Sequence, residues 1–191
     1  MLARIVTLTA LAVGGAFLAR QLKKSGSPGQ ADSTVRESID VNVPVRAAYD
    51  QFTQFEEFPR FMDSVHEVRQ LDDKRLHWKA DVMGKPIEWD AEICEQIPDQ
   101  KIAWRSTSGT PNDGVVTFQS LSGSRTRVTL QMSYEPQDSV ESIGDALGAV
   151  RREAKSNLKK FKEMIEARGG KETGAWRGTI SDQPGGSTTQ H

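Results

Sequence analysis

The 191-residue sequence predicts an α+β domain. A curved antiparallel sheet of six to seven strands wraps around one long C-terminal helix, and two short helices follow the first strand. Three observations predict it. Between residues 35 and 134, segment after segment alternates apolar and polar residues, the period of half-buried strands. From Val140 to Ile165, apolar residues recur instead at steps of three or four, one stripe along about seven helical turns. An antiparallel sheet of this size has a dry face that one helix is too narrow to cover unless the sheet curls around it. Such curling leaves room for a cavity between them.

The elements follow in order. In "VRESIDVNV", Val35, Ile39, Val41 and Val43 share one face, and Pro44 ends the strand. "VRAAYDQF" reads as a short helix. "QFTQFEEFPRFM" then places Phe52, Phe55, Phe58 and Phe61 one every third residue. On one continuous helix those rings would fan over about half the circumference. Pro59 also lacks an N–H and biases Phe58 toward extended backbone. The reading is two short helices, one ending near Phe55 and one starting at Pro59, with a bend that gathers the rings. Phe52 is expected in the core.

"SVHEVRQL" is a weaker strand. In "RLHWKADVM", Leu76, Trp78, Ala80 and Val82 face one way; in "PIEWDAEICEQI", Ile87, Trp89, Ala91 and Ile93 do. A Gly84-Lys85 turn between them would set Trp78 against Ala91 and Ala80 against Trp89, large opposing small. Lys79 would then meet Asp90, and His77 would meet Glu92, on the outer face. By the same parity Cys94 points outward unless a bulge intervenes, and Glu95 points inward. "KIAWRSTSG" aligns Ile102, Trp104, Ser106 and Ser108. "GVVTFQSL" turns Val116 and Phe118 inward, and "RTRVTLQMSY" turns Val128, Leu130, Met132 and Tyr134 inward. The long helix carries Ile143, Leu147, Val150, Ala154, Leu158, Phe161 and Ile165 on its stripe, and Gly169-Gly170 stops it. Its outer face is basic in the second half, a solvated surface or a rest for anionic headgroups.

The ends differ from the middle. Residues 1–24 hold an apolar run, "IVTLTALAVGGAFLA", between Arg4 and Arg20. It reads as a membrane-anchoring helix, with a cleaved signal as the rival. More cations follow it than precede it, which puts the domain on the cytoplasmic side; after signal cleavage it would be secreted or periplasmic. Residues 25–34 are a polar linker, 35–170 the folded domain, and 171–191 a polar, Gly- and Thr-rich tail read as disordered, with Trp176 its one odd residue. The formal charge of −1 gives no basic footprint for nucleic acid. Three histidines without ligand spacing and one cysteine give no metal site and no internal disulfide, and no cofactor motif is present.

The order of elements, with "VNVPVRAAYDQFTQFEEFPRFM", "EWDAEI", "IAWRSTSG" and "GVVTF", resembles the START-like helix-grip (SRPBCC) superfamily, in its cyclase/dehydrase branch, which includes polyketide cyclases and coenzyme Q-binding START proteins. The resemblance spans about residues 35–168. It implies the fold already read, and a scaffold that serves enzymes, lipid carriers and receptors alike.

By parity the inward wall is Trp78, Trp89, Trp104, Phe118, Met132 and Tyr134, faced by Leu147 and Val150 of the helix. Such a wall suits a flat or greasy ligand, such as a lipid, quinone or isoprenoid, held by a few polar groups. Ser106, Ser108, Tyr134 and Glu95 are the polar candidates. A filled core is the competing reading of the same residues. The resemblance implies that the gathered rings lie at a cavity mouth, with Phe58 and Phe61 as gate residues. Acid–base signals are poor, because His77 points outward and Glu95 is the one inward carboxylate. That weighs against an enzyme; if there is one, the resemblance implies a cyclase or dehydratase. A ligand-free interaction or stress-related module is the third reading.

Overall fold

A computed structural model describes residues 34–82, 84–133, 143–171 and 173–181. Seven strands are present: β1 Thr34–Val41, β2 Val65–Gln70, β3 Arg75–Val82, β4 Lys85–Ile97, β5 Lys101–Gly109, β6 Asp113–Ser122 and β7 Arg125–Ser133. Their order in the sheet is β1-β7-β6-β5-β4-β3-β2, with every pair antiparallel. The chain therefore runs as a meander from β2 to β7, and β1 closes onto β7. Helix α1 is Val45–Phe52, a 3-10 helix spans Phe55–Arg60, and α2 is Ile143–Ala167. The sheet curls around α2, the helix-grip arrangement that the sequence predicts. Ala154, Leu158, Phe161 and Ile165 of the α2 stripe are all buried.

The β3–β4 hairpin corrects the predicted register. Val82 pairs with Lys85, so Gly84, at φ +77°, belongs to the loop and Lys85 does not. The pairing slides by two residues: Trp78 stands opposite Trp89, Ala80 opposite Ile87, Lys79 opposite Glu88, and His77 opposite Asp90. A slip of two preserves which face each side chain occupies, so the inward set survives. Large still meets small, one strand further on. Trp89 lies across from Gly109 of β5, and Trp104 across from Gly114 of β6. A methyl on Gly114 would lie 2.4 Å from Trp104 Cζ2, and one on Gly109 would lie 3.0 Å from Trp89 Cβ. Gly114 thus lets an indole lie over the neighbouring strand, whereas Gly109, at φ +74°, keeps clear the backbone of β4, where a methyl would meet the Glu88 carbonyl oxygen at 2.5 Å.

The short helices also differ from expectation. Pro59 lies inside the 3-10 helix, which begins at Phe55. The bend comes earlier, at Thr53-Gln54, where Thr53 Oγ1 donates to the Asp50 carbonyl at 2.7 Å and closes α1. Helix α1 is buried nearly all round, Asp50 and Gln51 included. Buried polar groups need partners, and they come from the far end of the chain. Arg168, just past α2, donates to Gln51 Oε1 and, at 3.1 and 3.3 Å, to both oxygens of Glu57. This clamps α1 and the 3-10 helix to the end of α2. Burial opposes charge on Glu57, yet the hydrogen bonds from Arg168 and Gln51 hold its carboxyl below the usual range.

The segment after Gly170, expected to be loose, lies along the domain as far as Ile180. Gln96 and Ile180 exchange two backbone hydrogen bonds of 2.9 and 3.0 Å, and Ile180 is buried. Arg177 bonds Asp50, reaches Asp99 at 3.1 Å and sits 5.7 Å over the Tyr49 ring. Asp50 has only 2% of its side chain exposed. Burial raises its carboxyl above the ordinary range, against the pull of Arg177 and Arg46. Trp176 stays 47% exposed, so the residues that anchor this strap are Arg177 and Ile180, not the indole. The apolar run of residues 5–19 lies outside the described residues. No described helix is long and apolar enough to cross a membrane.

Candidate functional site: an aromatic cavity

Between the concave face of the sheet and α2 lies a cavity of about 180 Å³. The strands contribute Trp78, Trp89 and Trp104 to its wall; α1 and the 3-10 helix contribute Phe52, Phe55 and Phe58. Trp78 and Trp89 stack at 5.4 Å with planes 10° apart, which follows from their direct pairing across β3 and β4. Phe58 meets the edge of Trp78 at 5.6 Å. Trp104 is fixed at the mouth by its indole N–H, which donates to Asn112 Oδ1 at 3.3 Å. The indole N–H of Trp78 is buried with no acceptor among the described residues. Such an orphan donor costs about 1–3 kcal/mol.

The predicted ligand residues divide. Trp78, Trp89, Trp104, Met132, Val150 and Phe58 line the cavity. Phe61, Phe118 and Leu147 do not. Phe61, 1% exposed, packs on Phe161 at 5.4 Å, and Phe118 packs on Tyr49 at 5.6 Å and Phe52 at 5.8 Å. Phe52, expected to be pure core, is both core and cavity wall. It meets Phe161 at 5.4 Å and Phe58 at 5.1 Å. Tyr134 lies outside the described residues.

The polar candidates fare worse. A bulge between Ile93 and Glu95 shifts β4 by one residue. That turns Glu95 out, where it pairs with Lys101 at 2.7 Å, and turns Gln96 in, where its amide donates to the Tyr49 hydroxyl at 2.9 Å. A second shift, between Asp90 and Ala91, puts Ser108 on the outer face with Asp90, at 2.9 Å. Ser106 holds the β5–β6 loop through the Asn112 N–H at 3.1 Å and Asp113. His77 and His66 sit on the outer face with Asp90 and Asp81. The polar lining comes instead from the mouth: Ser64, Thr110, Asn112, Ser133, Glu153 and Asn157. Glu153 and Asn157 are one turn apart on α2, and Ser64 bonds Glu153. Sequence parity could not find Ser64, which lies in the irregular link before β2. Glu153 and Asn157 flank the apolar stripe of α2 and were legible only as its polar border. The interior is apolar, and Glu153 is the one ionisable residue on the wall among the described residues.

The basic face of α2 is largely paired. Arg151 faces Glu37, Lys159 faces Glu163, Lys160 faces Asp63, Lys162 faces Glu166, and Arg168 faces Glu57. This weakens its reading as a headgroup-binding surface.

Residues 41–163 match the family model described as polyketide cyclase / dehydrase and lipid transport. An uncharacterized 17.2 kDa protein encoded in the melC2–rnhH intergenic region of Streptomyces lincolnensis is 49% identical over 149 residues, 78% of this chain and 99% of that protein. Among solved structures, the Zhui aromatase/cyclase from Streptomyces sp. R1128 superposes with a TM-score of 0.62 at 16% identity, covering 75% of this chain and 98% of that one. A START superfamily protein from Mycobacterium smegmatis superposes at 0.61 and 12% identity, covering 69% and 98%. At those identities the likeness speaks for the fold. The matched span takes in more than half the chain and every element from α1 through most of α2, and so the chain belongs to the polyketide cyclase/dehydrase and lipid transport family, on a START-like helix-grip scaffold.

Proposed function

We propose that the domain binds a hydrophobic small molecule in the cavity between sheet and α2. The observation that carries this is the cavity itself: about 180 Å³, walled by aromatic rings, with its polar groups confined to the mouth. An engineered apolar cavity of about 150 Å³ takes up benzene. By that measure this one encloses about seven non-hydrogen atoms, so a bicyclic ring, or the end of a longer lipid, quinone or isoprenoid, reaches out through the mouth. Titrating naphthalene into the full chain should quench tryptophan emission, because three of the four tryptophans line the site. Saturable quenching that Trp104→Ala weakens by more than it lowers stability supports the reading. Absence of any saturable change, by fluorescence and by calorimetry, refutes it.

A second reading is favoured by the fold likeness to an aromatase/cyclase together with the polar mouth. In it, Ser64, Glu153 and Asn157 orient a poly-keto chain while its apolar part folds inside. Conversion of such a chain, lost in Glu153→Gln with binding retained, would distinguish enzyme from carrier. In either case the apolar run of residues 5–19 would tether the domain to a membrane, on the cytoplasmic side. Fractionation tests this: the full chain should pellet with membranes, and a chain lacking residues 1–24 should not.

A further inference from the structure

We infer that the cavity selects ligands whose head group donates a hydrogen bond, a hydroxyl in the simplest case, and discriminates against carboxylates; this rests on the ligand-binding reading above. The selectivity follows from what stands at the mouth. The interior offers no charge, so a polar head must lie at the opening, beside Ser64, Glu153 and Asn157. Glu153 is an acceptor when ionised. Ser64 is bound to its Oε1, and the other oxygen has no partner among the described residues. The Asn157 amide, half-buried and one turn along α2, has none there either. One carboxylate oxygen and one amide thus face the opening with hydrogen-bonding capacity unused, and the charged one can only accept.

The cations nearby do not alter this balance. No Lys, Arg or His lines the cavity among the described residues. Lys160 is engaged by Asp63, and Arg151 by Glu37. Arg152 and Lys155 flank Glu153 on α2 but lie outside the lining. A carboxylate head, as on a fatty acid, would enter without a counter-charge and against Glu153. A hydroxyl would donate to Glu153 and accept from Asn157.

The test uses three naphthalenes that share one body and differ in head: 2-naphthol, 2-methoxynaphthalene and 2-naphthoate. Each is titrated calorimetrically into the full chain at neutral pH. The expected order is naphthol, then the methyl ether, then naphthoate. Naphthol should exceed naphthoate by at least roughly fivefold, the factor set by two like charges about 4 Å apart even when fully hydrated. Glu153→Gln, a change at an exposed position, should weaken naphthol, strengthen naphthoate and bring the two together. Equal affinities in the parent protein, or a preference that Glu153→Gln leaves intact, would overturn the head-group inference while the pocket stands. Failure of all three, and of naphthalene itself, would remove the ligand-binding reading and this one with it.

Discussion

Gly114 supports Trp104, and replacing it by alanine is the sharpest probe of the cavity wall. The added methyl would lie 2.4 Å from Cζ2 of the indole and 2.9 Å from Cε2 and Cη2. Carbon atoms pack at about 3.5–4.0 Å, so the ring must retreat by about 1 Å or more. The space open to it is the cavity that it lines. Such a shift also disturbs the bond of its N–H to Asn112, which already stands at 3.3 Å. Overpacking of this kind costs about 1–3 kcal/mol. For a chain of this length that lowers the melting temperature by about 2–12 °C. Calorimetry reads the stability, and naphthalene titration reads the cavity, which the displaced ring should shrink. Gly123→Ala is the control, since nothing lies within 4 Å of its would-be methyl. If Gly114→Ala matches that control in both stability and affinity, the indole is not seated on Gly114 and the account of this wall is wrong.

Other outcomes follow from the same packing. Phe61→Ala should cost about 3–5 kcal/mol in urea denaturation and leave probe affinity nearly unchanged, because Phe61 is buried against Phe161 and lies off the cavity. Phe58→Ala should instead change probe affinity by opening the wall beside Trp78. Arg177→Met leaves the buried Asp50 carboxylate with only Arg46, at 4.0 Å, and should cost about 2–4 kcal/mol, somewhat under the usual range for a broken buried pair because Arg46 remains and the guanidinium side is 26% exposed. Adding Asp50→Asn should restore part of that loss; no recovery would mean that the ion pair is not what holds the strap. Asp72 accepts from the Lys74 N–H, the Arg75 side chain and the Arg75 N–H, which bring its carboxyl down from an ordinary 3.8 to about 2. A lowered folded-state value stabilises above the ordinary value and is lost as pH falls through about 2. Asp72→Asn should therefore narrow the stability difference between mildly and strongly acidic buffer.

The sheet and the long helix were legible because alternation and the 3.6-residue stripe are local signals that tertiary structure here did not override. The β3–β4 register was not, because a Gly-Lys pair reads as a turn as well as a residue pair ending in Gly does. The slip happened to be even, and so Trp78 and Trp89 remained inside. The bulge at Cys94 was an odd slip, and it exchanged Glu95 for Gln96. Nothing in "ICEQI" announces a bulge, since each of its residues tolerates either face of a strand end. The Phe52–Phe61 stretch is bent between two short helices, as its ring spacing predicts, but the bend falls at Thr53-Gln54 and not before Pro59. Its proline was misplaced, since a 3-10 turn accommodates a missing N–H that an α-helix would not. The described part of the tail, as far as residue 181, departs furthest from expectation. Its composition is that of a loose segment, and its two anchors find partners that sequence proximity cannot suggest: Arg177 meets Asp50 across 127 positions.

That closure has a consequence for where the domain ends. The family match stops at residue 163 and the helical stripe at Ile165, so either boundary would suggest cutting near the end of α2. A protein cut there would keep every strand and nearly all of α2. It would also lose Arg168 from Gln51 and Glu57, and Arg177 from Asp50. The second element of the fold would be left with a solvent-starved carboxylate and a half-satisfied amide, beneath the ring of Phe52 that walls the cavity. During synthesis the same dependence sets an order. Helix α1 leaves the ribosome early, but Asp50 has only Arg46, at 4.0 Å, until residue 177 has emerged. The last polar stretch of the described chain therefore decides when the first helix is finished, and a fragment chosen by homology alone would report on an unfinished one.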